Sequence, residues 1–130
     1  MRPHSLISLM FLLSPAWLPG LCHAAPASTS CPPPAQAVRS AQDAGALAAR
    51  AVQACQLTRL PPACLRYHSS TEDKGSSFMV DVYEWHDSKC GGDPDTAPRL
   101  FSLRVTRQGK LSSDANSADG RYLPLKKAIG

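Results

Sequence analysis

The stretch Phe78-Met79-Val80-Asp81-Val82-Tyr83-Glu84-Trp85 decides the fold of this 130-residue chain. Phe78, Val80 and Val82 fall on one side, and Met79, Asp81, Tyr83 and Trp85 on the other. That period of two marks a half-buried β-strand. Downstream, Cys90-Gly91-Gly92-Asp93-Pro94 forces a loop, and residues 100–106 repeat the alternation with Phe101, Leu103 and Val105 on one side. Arg107-Gln108-Gly109-Lys110 then supplies turn chemistry before a short fourth segment near Leu111. Upstream, Leu65 and Tyr67 alternate with Arg66 and His68 in a short first strand, and the polar residues 69–77, with Gly75, turn into the main one. After Asp119-Gly120, the tail residues Tyr122, Leu123 and Leu125 are apolar enough to dock on the core.

Before the strands the period changes from 2 to 3.6. Leu47, Ala48, Ala51, Val52 and Cys55 recur at three-and-four spacing in an Ala-rich segment, which predicts a helix ending near Cys55 and stopped by Pro61-Pro62. Its start has two candidates: Pro34 at a first helical position, or Ser40 with Asp43 as a capping box. The narrow, small-residued face suits close packing on a sheet. The expected fold class is therefore α+β: one N-terminal helix packed on a three- to four-stranded antiparallel sheet and stapled by two disulfides.

The chain opens with a basic Arg2 and His4, an apolar run 6–13, and helix breakers Pro15 and Pro19-Gly20, the pattern of a secretory leader rather than a membrane span. The expected organisation is a signal peptide over 1–24 cleaved after Ala24, with Ala27 as the runner-up, a Pro-rich leash over 25–34 and a single α+β domain over 35–130. Leu21 before Cys22 is too bulky for the usual lipid-attachment pattern, which argues against lipidation. The expected location is the periplasm or the cell exterior. The formal net charge of +4 comes without a Lys/Arg run or a basic stripe interleaved with aromatics, so no nucleic-acid partner is indicated.

Cys31, Cys55, Cys64 and Cys90 form an even set behind that leader and read as staples for an undersized core. None of their spacings resembles C-x2-C, which leaves zinc and redox readings without a motif. A helix starting at Pro34 would hold Cys31 and Cys55 about 30 Å apart, beyond disulfide reach. A start at Ser40 lets the leash fold back and reopens that pair. Among the other pairings, Cys55 with Cys64 and Cys31 with Cys90 is the preferred set.

With one sheet face under the helix, Met79, Tyr83, Trp85, Leu100 and Arg104 point to the other, joined by Arg66 and His68. Aromatic, Met and Arg side chains are enriched in binding hot spots, so Met79, Tyr83, Trp85, Arg66 and Arg104 are the candidate partner-binding residues. The competing reading is that the tail or the leash covers this face.

Residues 82–86, 90–94, 98–102 and 105–111 together resemble small bacterial periplasmic proteins, similar in layout to PepSY-like and cystatin-like domains. The resemblance implies a non-enzymatic binder of another envelope protein, often an inhibitor or accessory of an envelope enzyme, and transfers no catalytic residue. Within the sequence, His86 and Asp87 beside Cys90 raise the alternative of a small secreted hydrolase using His86, which needs a free thiol within reach of the imidazole. A structural or adhesive envelope component is the third reading. Asp93 and Asp95 read as turn formers rather than calcium ligands, because Pro94 separates them and no loop-ending acid follows. No serine nucleophile motif is present. The expectation is a module with no catalytic residue, cofactor or metal.

Overall fold

The computed structural model describes residues 30–127. The leader over 1–24, its cleavage after Ala24 and Cys22 lie outside the described residues. The elements run α1 (Ala41–Ala54), β1 (Leu65–Thr71), β2 (Ser77–Glu84), β3 (Arg99–Thr106), β4 (Leu111–Ser113) and β5 (Leu123–Pro124), with single 3-10 turns at Pro62–Cys64 and Asp73–Gly75. The strands form an antiparallel meander in the order β1-β2-β3-β4-β5, with α1 on one face.

Ser40, not Pro34, opens the helix. Its hydroxyl accepts the Asp43 N–H at 3.1 Å, while the Asp43 carboxylate accepts the Ser40 and Arg39 N–H groups at 3.1 Å each. Three backbone N–H donors at the N-terminus are thereby satisfied. Gln56, with a left-handed φ of 53°, turns the chain out of the helix after Cys55. The buried face is Ala44, Leu47, Ala48, Ala51 and Val52. Its small side chains let the helix lie close to the sheet, and at Gly45 a Cβ would come within 2.7 Å of the Ser69 hydroxyl. Opposite stand Phe78, Val80, Val82, Phe101, Leu103 and Val105, each no more than 5 % exposed.

Two departures from the sequence pattern shape the sheet. Val82 pairs with Phe101 but Tyr83 pairs with Arg99, so Leu100 is the extra residue of a β-bulge. The bulge reverses the alternation, and Leu100, expected on the outer face, packs against the core while Arg99 takes its place outside. The sheet also has five strands rather than three to four, because Leu123 and Pro124 of the tail pair with Ser113 and Ser112. Leu125 joins the core as expected of the tail, whereas Leu123 stays 37 % exposed.

The disulfides are Cys31–Cys55 and Cys64–Cys90, with Cα separations of 4.9 Å and 5.6 Å. This corrects the expected set. Because α1 begins only after Ser40, it is about 21 Å long, and the nine extended residues before it reach about as far back. They run beside the helix and bring Cys31 to its C-terminus. Cys64 immediately precedes β1 beside the β2 exit, where its carbonyl accepts the Trp85 N–H at 2.8 Å, so the loop after β2 supplies its partner. The segment before α1 is part of the packing. Val38 is 2 % exposed and donates its N–H to the Arg107 carbonyl at 2.9 Å, and Gln36 lies flush on Gly109 of the β3–β4 turn.

Gly109 (φ +80°) faces the Gln36 backbone, whereas Gly91 (φ +76°) has nothing within 4 Å of an added Cβ. Both substitutions to alanine strain a left-handed backbone, but only Gly109→Ala also pushes the strap off the hairpin. We expect Gly91→Ala to cost about 1 kcal/mol and Gly109→Ala at least about 2 kcal/mol more, measured by urea denaturation. Equal costs would mean that the strap contributes nothing at this contact.

Candidate functional site

The sheet face away from α1 divides into three zones. At its centre, Asp81, opposite Ser102 in the register, accepts the Ser102 hydroxyl and lies 3.3 Å from Arg99 Nε. Arg99 Nη2 donates to Ser102 Oγ at 2.6 Å and to the Asp114 carboxylate at 2.8 Å, and Asp114 also accepts the Ser102 N–H at 2.6 Å. This network buries Ser102 completely with its polar groups partnered. It exists because the bulge delivers Arg99 to this face. The residues form a closed set of donors and acceptors that ties β2, β3 and the turn after β4 together.

The second zone is sealed by the tail. Tyr122 lies over Met79 and Arg104: its hydroxyl is 3.2 Å from Met79 Sδ, and the Arg104 guanidinium stacks 4.7 Å from its ring centroid. Arg104 also forks onto Glu72, with Nε to Oε2 at 2.9 Å and Nη2 to Oε1 at 3.1 Å. That hydrogen-bonded guanidinium, with a smaller contribution from the Ser77 hydroxyl, holds Glu72 below the ordinary carboxylate value.

The third zone is open. Arg66, His68, Tyr83, Glu84, Trp85 and Ala97 line a recess of about 350 Å³. Arg66 stands opposite Tyr83 in the β1–β2 register, and its guanidinium sits 4.4 Å from the Trp85 ring centroid. Trp85 is 39 % exposed. Its indole N–H donates to Asp87 at 3.0 Å, and the other Asp87 oxygen accepts the Lys89 and Cys90 N–H groups at 2.8 Å each. These bonds, that from Cys90 foremost, hold Asp87 below the ordinary aspartate value. The loop after β2 is thus built around Asp87, and it fixes the Trp85 ring at the recess edge.

The five residues singled out from sequence therefore separate. Arg66, Tyr83 and Trp85 come together around the recess, while Met79 and Arg104 lie at the other end under Tyr122. His86 is built into the loop: Nδ1 is 2.8 Å from the Asp93 carbonyl and 3.0 Å from the Thr96 hydroxyl, and Nε2 is 3.4 Å from Glu84. Cys90, the thiol a Cys–His pair would need, is bonded to Cys64. Asp93 accepts the Asp95 N–H at 3.0 Å in an Asx turn. Among the described residues no group of His, Cys, Asp or Glu side chains gathers in a metal-binding arrangement.

The sequence reading missed the anchoring role of Asp87, whose signal was the Asp-Ser-Lys-Cys turn following a strand, and the Arg99–Ser102–Asp114 network, which depends on a bulge no local pattern announces. Comparisons with protein families, characterised proteins and solved structures found no match.

The lowered carboxylates set an acid limit on stability. A group held down in the fold contributes fully above its unfolded value, 4.5 for Glu72 and 3.8 for Asp87, and that contribution is lost as pH falls through the lower folded values. We expect the urea midpoint to be level from about pH 7 to about pH 5 and to fall below about pH 4.5, with Glu72→Gln giving a flatter acid limb. An unchanged limb in that variant would remove Glu72 from the account.

Proposed function

We propose that the chain is a non-enzymatic protein-binding module of the periplasm or cell exterior, released there by cleavage after Ala24, that acts on another envelope protein as an inhibitor or immunity-type factor. The observation that carries this reading is the open recess with Arg66 stacked on a half-exposed Trp85 beside Tyr83. Binding energy concentrates on such rigid aromatic and arginine anchors, and these are held by β1, β2 and the Asp87 turn, so little ordering is required on contact. The tail and the polar network close the other two zones of the same face. Extracytoplasmic action is supported by cysteine use, because disulfides persist where thiols are not kept reduced. The chemistry of the recess favours binding over hydrolysis: the His86 ring is engaged through both nitrogens, and the neighbouring sulfur is bonded.

A photo-crosslinking residue placed at Ala97, in the recess, should give an adduct with one envelope protein, and the same residue at Gln42 on the exposed side of α1 should not. Trp85→Ala should abolish the Ala97 adduct while lowering stability by no more than about 2 kcal/mol, the worth of an exposed cation–π contact and one hydrogen bond. Adducts of equal yield from both positions, or none from Ala97, would remove the recess as the contact surface.

A further inference from the structure

Resting on that reading and extending it to the chemistry of the partner, we propose that the free edge of β1 takes up an extended acidic segment of the partner as a sixth strand, with an Asp or Glu side chain of that segment seated against Arg66, His68 and Tyr83. The register fixes which backbone groups are on offer. The bonds from Trp85 N–H to the Cys64 carbonyl (2.8 Å) and from Glu72 N–H to the Ser77 carbonyl (2.9 Å) bracket the β1–β2 ladder. Arg66, His68 and Ser70 therefore spend their backbone groups on β2, and the N–H and C=O of Tyr67, Ser69 and Thr71 point away from the sheet. The Leu65 carbonyl accepts Arg66 Nη1 at 2.9 Å, so the open edge begins at Tyr67. Natural edge strands are blunted by Pro, Lys, bulges or brevity. β5 is two residues long and contains Pro124, whereas β1 is seven residues without Pro, Lys or a bulge. Of the two ends of the sheet, β1 is the one that can pair.

The side chains beside that edge define what pairs with it. Outer-face side chains of an added strand fall opposite Arg66, His68 and Ser70. Arg66 Nη1 is held by the Ala63 and Leu65 carbonyls, while its Nε and Nη2, the His68 imidazole and the Tyr83 hydroxyl have no hydrogen-bond partner among the described residues. The acids nearby are already engaged. Glu84 faces His86, Asp87 takes three N–H donors, and Asp81 is held by Ser102 and Arg99. The recess thus presents spare donors and a cation with no spare acid, which a carboxylate complements. Strand addition supplies main-chain affinity and alternate side chains supply selectivity. A second copy of the chain would bring the Arg66 and His68 side of one edge onto that of another, with no acid to meet either.

The test is a random heptapeptide display library selected on the purified protein, followed by synthesis of the enriched peptide. We expect β-branched residues with Asp or Glu at alternate positions, and chemical-shift changes at the Tyr67, Ser69 and Thr71 amides on binding. Converting the peptide acid to its amide should weaken binding at least tenfold, about 1.4 kcal/mol. Arg66→Gln should erase that preference, and because the peptide is varied on the intact protein, the acid-to-amide comparison stands even if this variant folds poorly. Enriched peptides without acids, shifts confined to residues other than β1, or self-association through β1 in sedimentation would overturn the proposal. Failure to enrich any peptide while the Ala97 cross-link forms would overturn edge pairing and leave the binding reading intact; failure of both would remove both.

Discussion

The close seat of α1 on the sheet is the contact on which the rest depends. Ala44, Ala48 and Ala51 contribute almost no side-chain bulk, so the helix approaches until Gly45 touches Ser69, and the interlayer space is filled mainly from the strand side by Phe78, Val80, Val82, Leu103 and Val105. The arrangement gives dense packing with little apolar area from the helix itself. A domain of this size buries a smaller share of its surface than a large one, and a helix lined with alanine gains less from burial than one lined with leucine. Covalent ties offset the shortfall. Cys31–Cys55 holds the strap along the helix, and Cys64–Cys90 holds the β2 exit loop to the start of β1.

Those ties also bear on the outer face. The loop anchored by Cys90 carries Asp87, and Asp87 orients Trp85 against Arg66. The proposed contact surface is therefore a by-product of how the small core is stapled. Rigidity at the recess follows from that covalent and hydrogen-bonded support, while the opposite end of the face is occupied by the tail through Tyr122. One face thus holds both internal packing and an open recess, divided by the Asp81–Ser102–Arg99 network.

What was legible in the sequence was whatever a local period or cap encodes. The alternation over residues 78–85 gave the central strand and its two faces, the three-and-four spacing of Leu47, Ala48, Ala51 and Val52 gave the helix face, and Ser40 with Asp43 was one of the two candidate starts and the one the fold uses. The tail was read as docking, which Leu125 does, but its pairing as β5 depends on where β4 ends in space. Leu100 was misassigned because a bulge inverts the alternation by one residue, and the choice between Leu100 and Arg99 is made by the Ser102 and Asp114 partners available to arginine. The disulfides were missed for a related reason: connectivity follows from the direction of the strap before α1, and no spacing between cysteines carries that direction. Of the candidate contact residues, the three whose positions adjoin in the β1–β2 register came together, and the two that lie under Tyr122 of the tail, 43 positions beyond Met79, did not.

The connectivity has one more implication. The four cysteines among the described residues pair in chain order, Cys31 with Cys55 and then Cys64 with Cys90, so the two covalent rings follow one another without overlap. From Cys31 onward, pairing each cysteine in chain order with the one still unpaired yields these two bonds directly. Pairing in chain order reaches this connectivity without reshuffling, a property set by the direction of a nine-residue strap.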